Sequence, residues 1–341
     1  MITIDVIYVI VGLMFSAFAV LSAFDRNNPK AVMNTVFWGL LAVSLLFGKW
    51  LGDLGNGVVV VAIVLLGGLI GLGQGKPDTT SVEERKAGAA RHGNWLFAPV
   101  LLIPLLTMVG TIAFLKPIQT GAPAVDEALN GLIGGLHTAL APLIAEDKAT
   151  VISLGLACVI ALLVAMAWLR PPVLAPLNEG RRMMDSIGWA ALLPQMLASL
   201  GAVFLLAKVG EAVSGQVTQV VPLDQLLPAV VAYCVGMALF TIIMGNAFAA
   251  FPVMTAAIGL PFLILKFHGD PAAVAAIGML AGFCGTLMTP MAANFNVVPA
   301  NLLELPDRNA PLNGVIRAQI PTALPLLLVN IGLMYFLAFP R

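Results

Sequence analysis

Between residues 278 and 300 the chain reads GMLAGFCGTLMTPMAANFNVVPA, and four of its side chains have the types and spacing to do chemistry. Thr286, Thr289, Asn294 and Asn296 bring hydroxyl and amide groups into an otherwise apolar stretch punctuated by glycine and proline. Pro290 removes a backbone donor and disfavours helix at Thr289, so carbonyls one turn back lose their partners. In a bilayer, such groups are tolerated only inside protein or beside a water-filled cavity. Many secondary transporters build their solute sites from broken helices of this kind. A second polar break, TIIMGNAFAAFPVMTAAIGLP over 241–261, carries Thr241, Gly245, Asn246, Pro252 and Thr255. Gly-Asn is a turn pair, and 250–267 reads equally as a complete span or as half of a hairpin.

The sequence therefore nominates Gly245, Asn246, Gly285, Thr286, Asn294 and Asn296 as solute-binding residues, with Thr289 and Asn294 as cation ligands. Asn246 and Asn294 are expected to line one cavity; the alternative is interhelical bonding, worth about 1 kcal/mol per contact. No acid or base lies in the middle of either break, which limits proton relays there. Half-helix N-termini suit a carboxylate, and freed carbonyls with Thr and Asn oxygens suit a hard cation such as Na⁺. The expected solute is a small anionic or amide-bearing molecule coupled to Na⁺ or H⁺. Asp185, Glu211 and Asp224, near span ends, are the carboxylates that could carry a proton. No cofactor is expected beyond Na⁺ as a coupling ion.

The elements that must position these residues are membrane helices. Of 341 residues, 60% are hydrophobic and only 10% charged, against roughly 25% charged in soluble domains. The expected fold is all-α and polytopic, embedded in a lipid bilayer. Ten spans are expected, at 3–24, 32–51, 57–73, 95–115, 149–169, 184–207, 226–248, 250–267, 272–289 and 317–339. Segments 122–145 and 209–224 are amphipathic and read as surface helices or re-entrant hairpins. Residues 1–169 then form an N-terminal half, 170–183 a cytoplasmic linker, and 184–341 a C-terminal half holding the broken-helix site. Five spans in each half would make the halves inverted in topology, although no direct sequence repetition is visible. Loop lysines and arginines place both termini outside. The N-terminal MITID has no basic residue and precedes a long apolar run, so it reads as a retained first span rather than a signal peptide.

Other chemistries fail on spacing. Gly-Leu-Gly-Gln-Gly-Lys at 71–76 misplaces the first glycine of a phosphate loop, and Pro77 replaces its Ser/Thr. His92, His137 and His268 are scattered, with no metal-ligand pattern. Cys158, Cys234 and Cys284 sit in apolar runs and read as packing residues. The chain is not expected to be an enzyme, and its zero net charge offers nothing to nucleic acid.

Four stretches resemble a bacterial membrane family, domain of unknown function 979: 34–39 (NTVFWG), 92–99 (HGNWLFAP), 285–300 (GTLMTPMAANFNVVPA) and 318–324 (AQIPTAL). Members are described as one subunit of a 5-oxoproline (pyroglutamate) transporter, encoded beside a second small membrane subunit. The resemblance implies an inner-membrane symporter subunit for that small carboxylate, working with a membrane partner; it brings no residue roles. The rival expectation is a scaffold subunit or passive channel whose polar breaks dock a partner.

Overall fold

The computed structural model describes residues 1–73, 81–115, 117–118, 123–188, 193–302 and 311–339. The described residues are helical apart from turns and one isolated bridge between Ile2 and Ile144. They form two compact units, Met1–Asp185 and Ser186–Arg341. Among the described residues, seven helices are long and apolar enough to cross a membrane.

In the first unit, α1 (Ile4–Ala23) packs along the start of α2 (Ala31–Leu65). Small residues allow the close approach: a side chain at Gly12 would meet Leu46 at 2.7 Å. Beside that contact, Phe15, Phe18 and Phe37 surround Trp38, with Phe15 stacked on the indole at 5.4 Å between ring centroids. All four aromatic residues are buried.

The apolar run Ala31–Ile70 spans 40 residues, which as one straight helix would be on the order of 60 Å long. It is not straight. Gly52 has φ 61° and ψ −174°, a region essentially reserved for glycine. Beyond it the chain returns antiparallel to itself. Asn56 bonds back to the carbonyls of Gly48 and Gly52 at 2.8 and 2.9 Å. The Lys30 ammonium reaches the Ile70 carbonyl at 2.6 Å, and Asn34 exchanges two hydrogen bonds with Gly73. The two arms 31–51 and 53–70 are therefore a helical hairpin. A further pair, α4 (Ala98–Ile112) and α6 (Ala149–Leu169), meets where Gly110 faces Ser153. Helices α3 (Val82–His92) and α5 (Pro123–Leu140) complete the described elements before α7 (Ala175–Ile187).

The stretch read as a linker is folded onto the first unit. The Arg181 and Asp185 side chains of α7 are buried there, at 4% and 5% exposure.

The second unit begins with α8 (Leu193–Leu206), which turns by 72° at Lys208 into α9 (Val209–Val220). Helix α10 (Leu226–Met244) follows, then α11 (Ala247–Met254), which continues as a π-wound stretch, Thr255–Lys266. Ala247–Lys266 is thus a single helical run of 20 residues, long enough for a whole span and not half of a hairpin. It returns antiparallel to α10, with Met254 against Gly236 and the Tyr233 hydroxyl 3.1 Å from Thr255. Helix α12 (Pro271–Leu287) then runs parallel to α10. A side chain at Gly278 would meet Tyr233, at Gly282 Met237, and at Gly285 the Ala238 carbonyl at 2.3 Å. After a π turn at Ala293–Val297 and α13 (Val298–Leu302), α14 (Pro311–Leu337) runs back along α12. The Asp270 amide bonds the Ala338 carbonyl at 2.7 Å, and Asn330 reaches the Cys284 sulfur at 3.5 Å.

The hairpin makes a direct prediction. Gly52→Ala should destabilise the protein by about 1–3 kcal/mol through backbone strain alone, because a Cβ there meets nothing within 4 Å. Gly57→Ala, equally open but at an ordinary dihedral, should be neutral or slightly stabilising. Thermal unfolding of the detergent-purified variants compares them; equal melting temperatures would refute the turn.

Candidate functional site

The two polar breaks of the second unit abut. Gly245 ends α10 at φ 76°, and a Cβ there would lie 2.6 Å from the Met291 carbonyl. The Thr289 hydroxyl donates to the Ile242 carbonyl at 2.8 Å and accepts from the Met291 amide at 3.2 Å. Across the interruption that follows α12, Asn296 donates to the carbonyls of Thr286 and Thr289 at 2.9 and 2.6 Å. These carbonyls lie just before Pro290, one of them a single residue away. Asn296 is fully buried, with Thr286 and Thr289 at 1% exposure. Asn246 caps α11, accepting the Phe248 amide at 2.7 Å. The Thr286 hydroxyl donates back to the Phe283 carbonyl at 2.6 Å.

The structure thus brings Gly245, Asn246, Gly285, Thr286, Thr289 and Asn296 into one neighbourhood, while the Asn294 side chain lies outside the described residues. So do Glu304, Asp307 and Arg308. Most polar groups of the neighbourhood hold the broken backbone itself. Among the described residues, Asn296 Oδ1 and Thr241 Oγ1 are buried oxygens with no hydrogen-bond partner. Thr241 faces Gly282, one helical turn before Thr286. Sequence reasoning placed Thr241 in the break without nominating it. Its missing partner is visible only once α12 packs beside α10.

The first unit holds a second polar cluster, centred on Asp185. Its Oδ1 accepts from Trp38 Nε1 at 2.9 Å and from Asn34 Nδ2 at 3.0 Å, while Oδ2 is buried without a hydrogen-bond partner among the described residues. Asn34 also pairs with both backbone groups of Gly73, at 2.7 and 2.8 Å. One turn earlier on α7, Arg181 lies 3.1 Å from Asp25 and donates to the Leu21 carbonyl at 2.7 Å. Burial pushes the Asp185 carboxyl above the ordinary carboxylate range. The Trp38 bond, the Arg181 charge and the Asn34 bond oppose that rise, and the Asp25 charge adds to it. Signals for this cluster were present in the sequence. Asn34 and Trp38 are four apart on one helix face, as are Arg181 and Asp185, and both members of the first pair fall in the 34–39 motif.

The family model described as "Protein of unknown function (DUF979)" matches residues 5–339. The chain belongs to that family. No curated protein and no solved structure matches it. Within this DUF979 chain, the match takes in both described clusters and the whole of the 285–300 motif.

If Asn296 staples the interruption, Asn296→Ala should leave two carbonyls unpaired and cost about 1–3 kcal/mol for each. Asn296→Asp, which keeps the shape but loses the donor, should be no better. Chemical or thermal unfolding in detergent tests this, and wild-type stability in both variants would discount the staple.

Proposed function

We propose that the chain is a subunit of a secondary transporter for a small carboxylate, with 5-oxoproline as the solute. The observation that carries this reading is the interruption between α12 and α14. Its freed carbonyls are held by Asn296, and two buried oxygens, Asn296 Oδ1 and Thr241 Oγ1, have no partner. Irregular backbone of this kind, set among apolar helices, is the usual foundation of a transporter site. The site comprises Gly245, Asn246, Gly285, Thr286, Asn294 and Asn296, with Thr241 added from the packing and Thr289 with Asn294 as candidate ligands for a coupling cation. The substrate comes from the family resemblance, to which an uncharged, amide-bearing site conforms.

The same proposal gives the chain ten crossings: α1, the two arms of the hairpin, α4, α6, α8, α10, the run 247–266, α12 and α14. The hairpin supplies one crossing more than a length count gives. The alternation of α10, 247–266, α12 and α14 suits four successive passes. Five crossings in each half meet the condition for an inverted repeat. Loop charges put both termini outside the cytoplasmic membrane. A second membrane subunit is the expected partner.

Reconstituted proteoliposomes test the function. With an imposed Na⁺ or H⁺ gradient, and with the neighbouring subunit present, radiolabelled 5-oxoproline should accumulate. Asn294→Ala should abolish accumulation without changing membrane insertion. Thr241→Val, which removes an unpartnered hydroxyl at constant shape, should reduce uptake at least tenfold while leaving the melting temperature in place. Full uptake by both variants would move the site elsewhere. A correctly inserted wild-type pair that accumulates no small carboxylate would favour the scaffold reading.

A further inference from the structure

From the packing around α7 we infer that Asp185 is a proton-binding site: its Oδ2 takes up a proton from water and releases it again, while Trp38 and Asn34 hold Oδ1. Three observations lead there. First, Oδ2 is buried and has no hydrogen-bond partner among the described residues, whereas Oδ1 has two. The two oxygens of one carboxyl are thus assigned different tasks. Second, the charges do not balance. Asp185 is 5% exposed and the Asp25 side chain likewise 5%, and among the described residues one guanidinium, Arg181, serves them. Arg181 commits its two terminal nitrogens to Asp25 and to the Leu21 carbonyl. With every group ionised, the cluster carries one uncompensated negative charge out of water, a state that ionisable groups relieve by binding a proton. Third, the cluster joins three separate pieces of the unit: the C-terminal end of α1, the hairpin with Gly73, and α7. Neutralising one carboxyl therefore bears on how these pieces are held together.

The charged groups facing Asp185 can be named by element. Helix α1 leads into Asp25. The hairpin contributes the neutral donors Asn34 and Trp38 and, at its exposed edge, Lys30, whose ammonium is on the Ile70 and Gly71 carbonyls. Helix α7 contributes Arg181, while Arg182 pairs with Glu179 at 2.8 Å. Protonation forms an O–H bond at Oδ2 and removes one negative charge; deprotonation reverses both. Since burial raises the group above the ordinary carboxylate range of about 4, its stabilising effect is complete below that range. The effect is lost as pH rises through the raised value. Coupled to the carboxylate transport proposed above, on which this last step rests, the site would make H⁺ the co-transported ion.

Infrared titration of the purified chain, without any solute, tests the proton site independently of transport. A protonated-carboxyl band should titrate with its midpoint above the ordinary carboxylate range and disappear in Asp185→Asn. Trp38→Phe, which removes a donor to the ionised form, should move the midpoint up. Asp25→Asn, which removes a like charge and frees Arg181, should move it down. These opposite shifts keep the test decisive even if Asp185→Asn fails to fold. The assignment would be overturned by a band that persists in Asp185→Asn, or by Trp38→Phe and Asp25→Asn shifting it in the same direction. A midpoint that moves when Na⁺ replaces choline would overturn it in favour of a metal-cation site.

Discussion

Every break in an apolar helix leaves backbone N–H and C=O groups that lipid cannot satisfy, and this chain answers that constraint repeatedly with asparagine. Its side-chain amide offers a donor and an acceptor side by side, in the same relation as a peptide group. Asn34 uses both on Gly73, and Asn130 uses both on Ile118. Asn56 holds two carbonyls at the hairpin turn, and Asn296 holds the two exposed before Pro290. Without these amides, backbone groups at the interruptions would be left unpaired. The candidate solute site and the carboxylate cluster both stand on such interruptions, so both depend on that one chemical device.

The device also separates structural from functional polarity. An amide whose donors and acceptor are all engaged has nothing left for a ligand. Asn34 is close to that limit, with its oxygen on the Gly73 amide and its nitrogen shared between Gly73 and Asp185. Asn296 is not, because its nitrogen is engaged and its oxygen is free. The difference turns on single atoms, which a residue-level list of polar positions cannot express.

Much of the framework was legible in the sequence. Pro290 announced the interruption after α12, and the gap between the expected spans 32–51 and 57–73 falls where the chain turns at Gly52. The wide spread of apolar runs announced a membrane protein. The fate of α7 was not legible. PLNEGRR (176–182) is dense in polar and charged groups and reads as solvated loop. The burial of Arg181 and Asp185 on α7 depends on partners about 150 positions earlier in the chain, at Leu21, Asp25, Asn34 and Trp38. Local patterning carries no information at that range. Likewise, Thr289 stands at a break in the sequence, but only the packing of α10 shows that its hydroxyl ties down the Ile242 carbonyl.

The parallel pairing of α10 with α12 has a consequence for how the protein is made. Helices that follow one another in a bilayer alternate in direction, so two that run the same way can never be neighbours in synthesis. Helix α10 must enter the membrane with Tyr233, Met237 and Ala238 uncovered. It must then wait until the intervening span and most of α12 have left the ribosome before Gly278, Gly282 and Gly285 can close over them. The close contact between α10 and α12 can therefore form only after both helices have been made. An insertion intermediate stalled before that point would expose the Tyr233 and Met237 face of α10 to whatever membrane chaperone is at hand.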